Sequence, residues 1–275
     1  MCASAEERGK SFAVCLTDRS STGPACRRER VMLKADLHTH SSEDPVDRIP
    51  YDARALIGRA AALGYSALAV PLHDRQLPLT ELTAIARDRG VVLVPGIERT
   101  IRGKHVLLLN FPPAAEQVSN FDELARLRGR SNGLVVAPHP FYPHPTALGR
   151  LVDTHAGLFD AVEVNAFYTR LVDFNRPAVR WARAHGKPLV GNGDVHRLSQ
   201  LGRTFSLIDA EPQADAICEA IREGRVSVDS QPLRVSEAAR LLGDLLAGDV
   251  ARIALRMRSS VAKRRTTTTE PTAAA

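Results

Sequence analysis

The sequence predicts an α/β fold of parallel-sheet or barrel type, on three observations. Short apolar runs alternate with segments of helical periodicity between residues 31 and 230. Glycines stop several of the helical segments. Histidines and acidic residues stand at the ends of the apolar runs, where a (β/α) barrel gathers its active site.

Length and composition allow this. A chain of 275 residues, 44% hydrophobic and 25% charged, suffices for one large α/β domain or two small ones. No apolar run approaches the roughly 18 residues of a membrane span, and the N-terminus lacks a signal-peptide pattern. Cys2, Cys15, Cys26 and Cys218 show no CxxC spacing; they read as free thiols in a reducing cytoplasm.

The net charge of +6 sits mostly in the tails. Residues 1–30 carry +2 (six basic, four acidic) and residues 251–275 carry +5 (six basic, one acidic), leaving −1 for residues 31–250. A nearly neutral body argues against a dedicated nucleic-acid surface.

In order, residues 1–30 read as a disordered extension, with Met32 an alternative start. Val31–Leu37 reads as a strand ending in His38, and Tyr51–Leu63 as a helix stopped by Gly64. Ser66–Leu72 is a strand ending at His73; Leu79–Arg89 is helical. Val91–Ile97 is a strand that delivers Glu98. His105 opens the strand His105–Phe111, entered from a hairpin across Arg102-Gly103-Lys104. Phe121–Arg130 is a helix, and Gly133–Pro138 a strand ending at His139. Asp160–Asn165 is a strand, Phe174–His185 a helix, and Lys187–Gly191 leads to Asp194 and His196. Phe205–Ile208, a helix near Ala214–Glu223 and Val226–Val228 finish a domain over residues 31–232. A C-terminal amphipathic helix follows (233–258, most regular over Ser236–Met257), packing on the barrel or a second subunit, with a membrane surface as the lesser reading. Residues 259–275 read as a disordered tail.

The chemistry starts at His38-Thr39-His40. Side-chain direction in a strand has period two, so both imidazoles face one side and can bind one ion. Asp194-Val195-His196 repeats the spacing with an oxygen donor. Mixed N/O ligands without thiolate suit Zn, Mn or Fe. Six of the nine histidines fall at matching places in the strand pattern. His144, His155 and His185 do not, with His144 a candidate pocket residue.

The ordered set DLHTH (36–40), LHD (72–74), GIE (96–98), KHVLLLNF (104–111), APHPF (137–141) and GNGDVHRLSQLG (191–202) resembles the polymerase and histidinol phosphatase (PHP) family over about residues 32–230. The resemblance implies a distorted seven-stranded (β/α)7 TIM-like barrel holding two or three divalent ions, and a metal-dependent phosphoesterase. By position, His38, His40, Glu98 and Asp194 resemble the ligands of one ion. Glu98 would bridge to a second ion on His105 and His139. A third would use His73, His196 and either Asp44 or Asp47, since the spacing after His40 departs from the family's SDG turn. A further departure is Leu72, where many members have Asp; Asp74 is the compensating candidate.

The implied mechanism is hydrolysis in which adjacent cations acidify a water and neutralise phosphate oxygens, with Glu98, Asp194, His196 and Arg197 as its catalytic group. Arg99, Arg170 and Arg197 are candidate phosphate clamps, with a surface arginine the stronger reading for each. Asn165 and Tyr168 line the pocket or pack beside it. The expected partner is a small phosphorylated substrate or nucleotide. The alternatives are a nuclease or DNA 3′-end processing enzyme, and a metal-binding module without catalysis.

Overall fold

The computed structural model describes residues 32–243. The expected extension over 1–30, the tail over 259–275 and most of the helix expected over Ser236–Met257 lie outside them. Within them the order is β1 (Met32–Asp36), α1 (Ala53–Ala62), β2 (Ala67–Leu68), β3 (Leu72–His73), α2 (Thr80–Arg87), β4 (Val92–Leu93), β5 (Gly96–Ile101), β6 (Lys104–Leu109), α3 (Phe121–Arg128), β7 (Leu134–Ala137), α4 (Leu151–Thr154), β8 (Ala161–Asn165), α5 (Asn175–Ala184), β9 (Leu189–Asn192), β10 (Thr204–Asp209), α6 (Ala214–Arg222) and β11 (Val226–Ser230). A last helix is described over residues 235–243. Among the described residues no helix is long and apolar enough to cross a membrane.

The mixed α/β character is as expected, but the strands are not all parallel. They pair into two sheets, β11-β10-β1-β2-β4 and β3-β5-β6-β7-β8-β9. β1, β2 and β4 run parallel, while β10 adds antiparallel to the edge of β1 and β11 antiparallel to β10. In the second sheet β6 runs antiparallel to both β5 and β7, and β7, β8 and β9 run parallel. A hairpin explains the first reversal. Arg102 and Gly103 both have positive φ (51° and 75°), the backbone of a two-residue type I′ turn, whose twist matches its flanking strands.

Two runs expected as single strands are each broken. Ser66–Leu72 becomes β2 and β3, and Val91–Ile97 becomes β4 and the start of β5. The breaks fall at Pro71 and Pro95, which have no N–H to donate to a ladder. Past them the chain changes sheets: β2 pairs with β4, and then β3 with β5. The break also moves Glu98 from a strand end to the third residue of β5.

One core cluster gathers Leu33, Ala35, Leu37, Ala67, Leu107, Leu134, Ala161 and Val190 from both sheets, with Ile217 and Ile221 of α6. Two others bury α3 and α5 against the second sheet and α1 and α2 against the first. The helices begin where local chemistry allows. The Asp52 side chain accepts from Ala55 N ahead of α1, and that of Asn120 from Glu123 N ahead of α3; each such cap contributes about 1 kcal/mol. Cys218 lies in the first cluster, its thiol pushed up to about 12 by burial, which keeps it protonated and inert.

Candidate metal centre

Beyond β1 the chain stays extended and Thr39 bridges Val195 in parallel. His40 N donates to Val195 O at 3.0 Å, and Val195 N to His38 O at 3.3 Å. This lays His38-x-His40 directly beside Asp194-x-His196. Asp36 ties the same two segments from below, accepting from His38 N and, with both oxygens, from Gly193 N. A Cβ on Gly193 would stand 2.6 Å from Asp36 Oδ2, so the close approach needs glycine. Burial pushes the Asp36 carboxyl up to about 7, against the lowering pull of those N–H groups.

Glu98 occupies the middle, 1% exposed. Its two oxygens face different histidines. Oε1 lies 2.6 Å from His105 Nδ1 and 3.2 Å from His139 Nε2. Oε2 lies 3.3, 3.5 and 3.2 Å from the Nε2 atoms of His38, His40 and His73. Strand register sets this up, because His73 is paired beside Glu98 and His105 opposite Thr100 across the hairpin. Asp194 Oδ1 completes the group, 3.6 Å from His38 Nε2 and 3.3 Å from His40 Nε2.

These atoms are suited to a cation. Among the described residues His38 Nε2, His40 Nε2 and His105 Nδ1 are buried with no hydrogen-bond partner, although buried polar atoms nearly always have one. His105 Nδ1 is close to Glu98 but not in hydrogen-bond geometry. Among the described residues donor atoms lie within 4.8 Å of one another in four groups: His38, His40 and Asp194; His38, Glu98 and His139; His40, His73 and Glu98; Asp44, Asp47 and His73. Imidazole and carboxylate without thiolate fits Zn, Mn or Fe.

The electrostatics agree. Burial opposes the charge on Glu98, but His105, His38 and His73 outweigh it and hold the carboxyl well below its ordinary range. Asp194 is likewise held down by His38, His40 and His196 against its burial. Burial works against protonating His38, yet Glu163, Asp194 and Glu98 hold it well above the usual imidazole value. His40, His73, His139 and His196 are raised against the same opposing burial, by Asp194, Glu98, Glu98 and Asp47 in turn.

Asp44 and Asp47 separate by their contacts. Asp44 Oδ1 accepts from Val46 N and Asp47 N, at 2.8 and 2.9 Å. Its Oδ2 accepts from His73 N at 2.9 Å and lies 3.0 and 3.3 Å from Nδ1 of His73 and His40. Asp44 therefore sits behind two imidazoles and turns their Nε2 atoms toward Glu98. Asp47 Oδ2 lies 3.0 Å from His196 Nε2 and 3.8 Å from His73 Nδ1.

Three residues at the centre have left-handed backbones without being glycine: Asp74 (φ 56°), His139 (30°) and Asp194 (47°). Such conformations cost on the order of 1–3 kcal/mol each and persist where surroundings enforce them.

Other expected residues lie elsewhere. Arg99 is occupied by Asp74 and Val118 O, both at 2.6 Å, so Asp74 takes a structural partner as well. Arg170 is exposed on the loop after β8. Arg197 follows His196 and is half-buried. Leu72 is buried among Leu56, Leu68 and Leu82, since alternation points it away from the face that carries His73. Asn165 Nδ2 donates to Asp194 Oδ2 at 3.2 Å, whereas the Tyr168 hydroxyl pairs with Ser230. His144 is exposed beside Thr146; His155 and His185 stack on Phe121 and Trp181. Sequence reasoning missed Glu163, fully buried in β8, 3.0 Å from His38 Nδ1. Its signal was a lone charge inside the apolar run Ala161–Asn165.

Comparison with known proteins agrees with this architecture. Residues 173–226 match the PHP-associated family model. No curated protein matches the sequence. Among solved structures, a two-domain protein from Bacteroides vulgatus, containing a predicted PHP-like metal-dependent phosphoesterase, is 18% identical at a TM-score of 0.57, over 76% of this chain and 70% of that one. PsfC from Pseudomonas syringae is 18% identical at 0.55, over 82% of this chain and 99% of that one. The lesion-specific endonuclease EndoQ from Pyrococcus furiosus is 18% identical at 0.50, over 72% of this chain and 58% of that one. At such identities the likeness is one of fold. The fold is thus shared with a structure containing a predicted PHP-like phosphoesterase, and residues 173–226 carry the match to the PHP-associated model.

Proposed function

We propose that the protein is a metal-dependent phosphoesterase that hydrolyses a small phosphomonoester or nucleotide. One observation carries the reading: the buried Glu98 carboxylate turns one oxygen to His105 and His139 and the other to His38, His40 and His73. A carboxylate placed between two sets of imidazoles is the arrangement for sharing one ligand between two ions.

In this reading His38, His40, Glu98 and Asp194 would hold the first ion, and Glu98, His105 and His139 the second. His73, His196 and Asp47 would hold a third, with Asp44 behind His73. Its engaged oxygens favour Asp47 over Asp44 as the ligand. Bound ions of this type acidify a coordinated water and offset the charge of phosphate oxygens. The chain itself supplies orientation: Asp44 and Glu163 aim the imidazoles, and Asn165 holds Asp194. Arg197, beside His196, is the candidate to grip non-bridging phosphate oxygens through its planar fork. Arg99 is engaged elsewhere. A distorted seven-stranded barrel is the proposed frame, supported by the Thr39–Val195 bridge and by a core cluster common to both sheets.

The near-neutral body favours a small substrate. The fold shared with an endonuclease supports DNA-end processing as the second reading. Purified protein supplied with Mn²⁺ or Zn²⁺ should release phosphate from a panel of phosphomonoesters and nucleotides. Cleavage of oligonucleotides alone would favour the second reading. No turnover of any phosphate ester, with metal demonstrably bound, would leave a binding module.

A further inference from the structure

We infer that Glu163 is a positioning residue for two metal sites at once, because one carboxylate fixes the tautomer of His38 and the backbone of His139; the inference rests on the metal-centre reading above. Glu163 lies mid-strand in β8, whose five residues are all buried. A carboxylate there is costly unless its oxygens are satisfied. Among the described residues its ion-pair partner is His38, at 3.0 Å from Oε1 to Nδ1. Oε2 accepts from His139 N at 2.7 Å.

Each contact has a separate consequence. With Oε1 of Glu163 accepting at Nδ1, a neutral His38 ready to ligate carries its proton on Nδ1. The Nε2 lone pair then points toward Glu98 and Asp194, where the first ion would sit. His139 has a left-handed backbone that a bulky residue rarely adopts. The bond from its N–H to Glu163 anchors that conformation and so places the ring against Glu98 Oε1. Ligands proposed for different ions therefore depend on one side chain that touches neither ion.

A carboxylate is required because two donors converge on it. Glutamine offers one acceptor oxygen and an NH2 donor. If its oxygen takes His139 N–H, its NH2 faces His38 Nδ1, which must then accept. The His38 proton moves to Nε2 and the lone pair leaves the site. Aspartate keeps both acceptors but withdraws them by one methylene.

The test titrates Zn²⁺ into wild type, E163Q and E163D against a competing chromophoric chelator, and reads the His38 ring ¹⁵N shifts in the zinc-loaded proteins. E163Q should weaken both tighter-bound ions roughly ten- to hundredfold and shift His38 toward the Nε2–H form. E163D should fall between it and wild type and retain Nδ1–H. His105→Ala should weaken the second ion alone. E163Q with wild-type affinities, or with weakened binding and an unmoved His38 tautomer, overturns the inference while the metal centre stands. If E163Q does not fold, wild-type affinity in E163D overturns it. Wild type that binds no zinc overturns the metal-centre reading and this inference together.

Discussion

Glu98 and Asp47 are both carboxylates facing imidazoles, at opposite ends of the site's depth. The Glu98 side chain is 1% exposed and sits inside a strand; that of Asp47 is 24% exposed and sits in the loop after His40. Around Glu98, several imidazoles are oriented from behind, His38 by Glu163 and His40 and His73 by Asp44. Around Asp47 and His196 the support is backbone and loop: His196 Nδ1 lies 2.9 Å from the carbonyl of Asp194, and His196 N donates to Gln200. The floor is built by strand register and the rim by loop chemistry. That difference predicts ions held with unequal tenacity.

The strongest way to break the comparison is Glu98→Ala. Removing the shared ligand should strip the two deep ions together and reduce phosphate release by more than the roughly ten- to hundredfold expected of a supporting residue. Elemental analysis and a phosphate assay check it; retention of one deep ion at wild-type affinity would refute the bridging role. Next, His196→Ala or Asp47→Asn should remove one ion equivalent at most and leave the deep pair in place, read as metal per chain after brief dialysis against chelator. Loss of all metal would mean that floor and rim are one cooperative unit.

A smaller effect is expected of pH. In the metal-free protein the raised histidines contribute stability that is full below the ordinary imidazole pKa of about 6.5 and lost as pH rises through their raised values. The depressed Glu98 and Asp194 contribute stability present above the ordinary carboxylate range of about 4 and lost as pH falls through their lowered values. The metal-free thermal midpoint should thus be highest in mildly acidic solution. Ligation requires neutral imidazole, so metal should move the optimum to higher pH. An unchanged optimum with zinc would contradict this. The smallest effect belongs to Arg99→Met, which breaks a partly exposed ion pair with Asp74. It should lower stability by less than about 1 kcal/mol and leave turnover unchanged, whereas Arg197→Met should raise KM.

Much of the floor was legible in sequence, because strand alternation and register are written in residue order. His38-x-His40, His73, His139 and the hairpin that presents His105 all follow from period two and a Gly-containing turn. The breaks at Pro71 and Pro95 were readable from proline's missing donor, but not the change of sheet they produce. Apart from that hairpin the antiparallel pairings were not foreseen, since short apolar runs look alike in either direction. The rim was less legible. Asp44 and Asp47 differ by three positions in one loop, and only the N–H groups that each accepts tell them apart. Glu163 looked like one charge among valines until His38 stood beside it, and Arg99 looked available until Asp74 and Val118 occupied it.

The pairing of Asp36–His40 with Gly193–Val195 also governs the order of assembly. Leu37 N donates to the Asn192 side chain, and Gly193 N to Asp36, across 155 and 157 residues of chain. Contacts of that separation form late, after loop closure has been offset by other structure. During synthesis from the N-terminus, the two leading histidines emerge long before the aspartate and histidine that complete their side of the site. A truncated chain ending near residue 190 would hold most of the imidazoles and none of the closure. If the site takes metal as proposed, capture would follow this pairing, and metal supplied during refolding should accelerate the last phase of recovery and not the first.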